Sequence, residues 1–95
     1  MNLQKDNYYR SVKYLKWVSQ QPSVLSGLPA DDPHHIKGKT YGTKPPDWAC
    51  IPLTREEHAY LHSVGHVQWE RENGSQCDYL VKFMIDNFET IQEFL

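Results

Sequence analysis

Thr54-Arg55-Glu56-Glu57 is a capping box, and it fixes where one helix of this chain begins. The threonine hydroxyl can accept from the backbone N–H of Glu57, and the Glu57 carboxylate can reach back to the N–H of Thr54. The helix that starts there carries His58, Leu61 and His62. A spacing of four puts both imidazoles on one face, a turn apart, where they can share an ion. Just upstream, Trp48, Ala49, Cys50, Ile51 and Leu53 read as a short buried strand. Residues 34–37 read as another strand. Between them, residues 38–46 contain Gly38, Gly42, Pro45 and Pro46, which leave a loop as the reading.

The flanks read as helices. Tyr8, Val12, Leu15 and Val18 (or Ser19) recur at helical spacing over residues 7–19. Pro22 and Gly27 then interrupt the chain, and Pro29 and Pro33 keep it extended. Gly65 interrupts the capped helix. A shorter helix through Trp69 follows and stops at Asn73-Gly74. Ser75 opens a terminal helix, expected over 76–94, with a stripe of Leu80, Met84, Phe88 (or Asn87), Ile91 and Leu95. The 95 residues contain no internal repeat and no domain boundary, so the expectation is one small α+β domain with its core at about 30–65.

Bulk properties exclude some functions. The net charge is −2, too little positive charge to grip nucleic acid by charge alone. The distribution is uneven: residues 1–64 hold eight Lys/Arg against six Asp/Glu, and residues 65–95 hold two against six. Lys37, Lys39, Lys44 and Arg55 fall around the histidines. They are candidate phosphate contacts, with solvated loop cations as the alternative. No apolar run approaches the roughly 18 residues of a membrane span, and the first ten residues have no signal-peptide core. The expectation is a cytoplasmic protein with no membrane partner. Cys50 and Cys77 have no CxxC spacing and imply no disulfide framework.

The histidines carry the chemistry. His34 and His35 are strand neighbours and point to opposite sides, so they cannot easily do the same job. One can join His58 and His62 on a metal while the other addresses a substrate. Three imidazoles leave positions open for water and a phosphate oxygen, as catalytic sites do. Phosphodiester hydrolysis fits, because it needs a base to activate water and a cation to offset charge building on the phosphate. HxxxH alone is a weak signal, since helix histidines are often surface residues, and an HH pair is weaker. Their conjunction with the loop, strand and capped helix is the stronger one. His66 lies just past Gly65 and reads as a surface residue.

The segments PADDPHH and GTKPPDWACIPL, with the HxxxH that follows, resemble the HNH, or ββα-metal, nucleases. The resemblance is closest to the phage recombination-enhancement, RecA-dependent nucleases, and runs from about Trp17 to about Glu70. It implies a ββα-metal core of two short strands and a helix, flanked by an N-terminal and a C-terminal helix. It implies a metal-dependent DNA endonuclease of phage or prophage origin, active in recombination or DNA processing, on DNA that a RecA filament presents. In that scheme His34, His58 and His62 hold one divalent ion (Mg, Mn, Zn or Ni), His35 is the general base, and Asp47 orients it. Asp47 stands where the family often has asparagine. Such proteins usually carry a CxxC and a third cysteine that build a structural zinc knuckle. Here Ser23, Ser26 and Thr54 stand at those positions, so no structural zinc is expected. The first and last helices and Trp17, Trp48 and Trp69 are the expected substitutes, with a homodimer through the apolar terminal helix as another. Asp31 and Asp32 are candidate partners for the metal-bound imidazoles. Two other functions stay open: a non-catalytic binding module that uses the acidic C-terminal half on a host or phage protein, and a hydrolase of another phosphoester.

Overall fold

The computed structural model describes residues 9–36 and 45–94. It is a small α+β domain with two antiparallel strands and several helices.

Helix α1 (Val12–Ser19) starts where Ser11 caps it, its hydroxyl accepting from Tyr14 N–H. Its buried residues are Tyr14 and Val18, a turn apart, while Val12 is 83% exposed. That corrects the expected stripe. Two residues are about 200° apart on a helix, so burying Tyr14 turns Val12 to solvent. The part expected before residue 9 lies outside the described residues.

Strand β1 (Asp32–His35) pairs with β2 (Cys50–Leu53) in the register Asp32↔Leu53, Pro33↔Pro52, His34↔Ile51, His35↔Cys50. β1 therefore begins two residues before the expected 34–37. Both strands are edges, so each tolerates a proline, and two prolines facing each other remove no donor that a non-proline partner needs. The pairing runs on past the strand, where Ile36 N–H donates to Ala49 O at 2.9 Å. All four β2 residues are buried. Ile51 and Leu53 join Ile36, Leu61, Trp69 and Leu80 on one side. Cys50 joins Tyr14, Val18, Phe83 and Ile91 on the other.

Helix α2 (Arg55–Val64) carries both halves of its capping box. Glu57 also receives the Ser23 hydroxyl at 2.6 Å, and Ser23 Oγ in turn accepts from Leu25 N–H at 3.1 Å and Ser26 N–H at 3.3 Å. Ser23, Ser26 and Thr54 thus meet on one carboxylate, which ties the 23–26 turn to the start of α2. Partial burial opposes ionisation of Glu57, but bonds from Ser23, the Thr54 N–H and Ser26 outweigh it and hold the carboxyl below its usual range.

Gly65 (φ 86°) ends α2 and Gly74 (φ 100°) ends α3 (His66–Asn73), conformations that suit glycine. The expected single terminal helix is two: α4 (Gln76–Asp86) and α5 (Phe88–Gln92). The break is at Asn87, whose side-chain amide and backbone N–H both donate to Phe83 O, at 2.9 and 3.1 Å, and so close the end of α4. The break re-aims the buried face. Gln76, Leu80, Phe83 and Ile91 point inward, and Phe88 is 59% exposed instead of in the core. Trp17 packs on Phe83 and Phe94 with ring centroids 5.7 and 5.6 Å away, and this locks α1 to the terminal helices. Trp69 is buried in the other cluster, and Trp48 is half-buried against both. No described helix is long and apolar enough to cross a membrane.

Candidate metal centre and the adjoining histidine–aspartate pair

Strand alternation turns His34 inward, where it is 3% exposed, toward the face of α2 that carries His58 and His62. One ring nitrogen from each of the three lies within 4.8 Å of the others. His58 Nε2 and His62 Nε2 are 3.0 Å apart. Two ligands each 2.0–2.1 Å from one ion stand about 2.9–3.3 Å apart, so the helix pair is already spaced for coordination.

The tautomers favour the same use. His58 Nδ1 is 3.1 Å from Asp32 Oδ2. A carboxylate can only accept there, so the Nδ1–H donates and a neutral ring keeps its lone pair on Nε2, toward His62. Of the two aspartates considered from the sequence, Asp32 is the partner, and Asp31 is exposed. His34 Nε2 is bonded to Gln76 Oε1 at 2.8 Å. Burial above all, with His58, His62 and His66 nearby, drives the His34 pKa down to about 4 despite the Gln76 bond. At neutral pH the ring is therefore uncharged, as a ligand must be. The donor set, its spacing and its supporting bonds all fit a divalent ion.

On the other side of β1, His35 Nε2 is 2.8 Å from Asp47 Oδ1. Asp47 also accepts from Ser11 N–H at 2.7 Å and pairs with Arg10 Nη1 at 3.1 Å. Arg10 is itself fixed by a bond to Pro45 O at 2.7 Å. Burial disfavours the Asp47 charge, but the His35 and Ser11 bonds and the positive charge of Arg10 outweigh that and hold the carboxyl below its usual range. The ionised Asp47 accepts from His35 Nε2–H, which leaves the lone pair of the neutral ring on Nδ1. Arg10, His35, Pro45 and Asp47 line a recess of about 310 Å³.

The structure thus brings His34, His58 and His62 into one cluster and His35 and Asp47 into one pair. Arg55 stands beside the cluster, 3.7 Å from Asp32, with its side chain 74% exposed. Lys37, Lys39 and Lys44 lie outside the described residues. His66 is corrected from a surface residue to a half-buried one: its ring stacks 6.1 Å from His34, and its Nδ1 takes a 2.8 Å bond from Gln76 Nε2. The helical spacing of 58, 62 and 66 was its signal, and Gly65 obscured it. Gln76 and Arg10 were missed. Gln76 had a signal, a polar residue four before Leu80 on the buried stripe of α4. Arg10 had none, because only the fold carries it to Asp47.

A family model described as "Protein of unknown function (DUF968)" matches residues 1–90. The chain is 39% identical over 87 residues to "Uncharacterized protein YdfU" of Escherichia coli (strain K12), across 88% of this chain and 25% of that protein. It therefore spans about a quarter of the length of this curated relative. No solved structure matches it.

Proposed function

The chain belongs to the DUF968 family, and from its two histidine groups we propose that it is a metal-dependent endonuclease of the HNH, or ββα-metal, kind. The proposed substrate is DNA, cut in phage or prophage recombination or DNA processing. The observation that carries this reading is the division of β1. His34 joins His58 and His62 within 4.8 Å on one side, and His35 holds Asp47 at 2.8 Å on the other.

The cluster would hold one divalent ion (Mg, Mn, Zn or Ni), which supplies Lewis-acid stabilisation of the charge that builds on the phosphate. His35 takes the proton of the attacking water on Nδ1. Asp47 keeps that ring oriented, and it does so without an uncompensated charge, because Arg10 and the Ser11 N–H share its oxygens. Arg10 and Arg55 flank the site as phosphate contacts. With a net charge of −2, the chain binds naked DNA weakly, so delivery by a RecA filament fits the reading.

The test is cleavage of linear duplex and single-stranded DNA with Mg²⁺ or Mn²⁺, with His35→Ala beside it, repeated on RecA-coated DNA. Metal-dependent cutting that His35→Ala loses supports the endonuclease. A wild type that holds the ion and cuts neither form of DNA contradicts it. That result would favour a second reading, a non-catalytic module that binds a host or phage protein. The observation behind this alternative is the line of Val81, Ile85 and Phe88, each at least half exposed on α4 and α5.

A further inference from the structure

We propose that Gln76 and His66, which lie outside the strand–helix unit, form a positioning relay that sets the tautomer of His34 and so switches its ion-binding nitrogen on. The inference rests on the metal-centre reading above.

Gln76 is 2% exposed, and both atoms of its amide are used. Its Oε1 is 2.8 Å from His34 Nε2, and its Nε2 is 2.8 Å from His66 Nδ1. It is the first residue of α4, where a helix leaves backbone donors unpaired. That N–H goes to Glu70 Oε2 at 2.7 Å, so α3 and α4 aim the side chain together.

An amide between two imidazoles couples their protons. With Oε1 toward His34, the His34 ring must carry Nε2–H and leave its lone pair on Nδ1, while His66 Nδ1 accepts. Turned over, the amide would donate to His34 Nε2 and demand a proton on His34 Nδ1. Both nitrogens of His34 would then be engaged and neither could ligate. Only the first arrangement leaves His34 a nitrogen for an ion. His66 holds the amide in that orientation when its own ring proton is on Nε2, so that Nδ1 accepts. A carbonyl partner behind a ligating imidazole is a common device for fixing both ring and tautomer. Here it is a buried side chain that a second histidine holds in place. Gln76 is thus a positioning residue and His66 its anchor.

The test titrates Co²⁺ into the wild type, Gln76→Met and Gln76→Glu, and reads the visible spectrum of the bound ion. In parallel, ¹⁵N shifts of the His34 ring in the metal-free proteins report the tautomer, and a thermal melt checks folding. The wild type is expected to show the Nε2–H form. Gln76→Met, similar in length but unable to accept, should mix the tautomers and weaken Co²⁺ binding by about 10- to 100-fold. Gln76→Glu keeps the acceptor and should recover most of the affinity, which a merely structural role would not produce. A folded Gln76→Met with wild-type tautomer and affinity would overturn the inference and leave the metal centre standing. A wild type that binds no Co²⁺ would remove the metal centre and this role with it.

Discussion

His34 and His35 are neighbours with identical side chains, and the two faces of β1 give them different environments. His34 is buried among three other histidines and a glutamine, and desolvation keeps it neutral. His35 keeps about a third of its side-chain exposure and leans on an ionised aspartate that an arginine and a backbone N–H share. A ligand needs a fixed lone pair and no charge. A base needs access to water and a partner for the proton it gains. One residue of strand offset supplies both sets of conditions, because alternate side chains face opposite sides.

The largest effects should come from breaking one face at a time. His58→Ala or His34→Ala should lower divalent-ion affinity by more than about 100-fold, since even outer partners of a metal ligand cost up to that much; calorimetric titration measures it. His35→Ala should leave affinity nearly unchanged while cleavage falls by about 10² to 10⁴-fold, the usual contribution of a general base. Single-turnover assays read that loss. A similar fall in affinity in both variants would erase the distinction between the faces.

Asp47 sharpens it. Asp47→Ala should cost about 2–3 kcal/mol of stability in denaturant melts, because the Ser11 N–H and Arg10 lose a charged acceptor. The same change frees the His35 ring and should slow cleavage by about 10²-fold through lost orientation. Asp47→Asn keeps one oxygen for His35 but offers an NH₂ where Ser11 N–H needs an acceptor. Its stability loss should be about 1 kcal/mol.

An effect on stability alone lies away from both faces. Glu57→Gln should cost about 2 kcal/mol at neutral pH, because the carboxylate serves Ser23 and Thr54 together. The folded-state pKa of Glu57 lies below its ordinary 4.5. Its contribution is therefore full above pH 4.5 and lost as the pH falls through the folded value. Melting temperatures followed from pH 6 downward should show a steeper decline in the wild type than in Glu57→Gln.

Much of this was legible in the sequence, for physical reasons that can be named. The capping box is a local reciprocal bond, and α2 begins where it says. Turn-forming glycines mark the ends of α2 and α3. The spacing of His58 and His62 puts them on one face in any helix. What failed was decided by tertiary contact. Val12 and Phe88 are apolar at helical spacing, yet both are exposed, because the packing of Tyr14 and the break at Asn87 choose other faces. Arg10 meets Asp47 across 37 positions of sequence, and Gln76 meets His34 across 42. No local pattern encodes such pairs.

The most direct measurement is of ion affinity and DNA cleavage on the same preparations of wild type, His34→Ala and His35→Ala. The expected result is that His34→Ala loses both and His35→Ala loses cleavage alone. A His35→Ala protein that cuts at the wild-type rate, or a His34→Ala protein that still binds the ion at full affinity, would contradict the division of labour across β1.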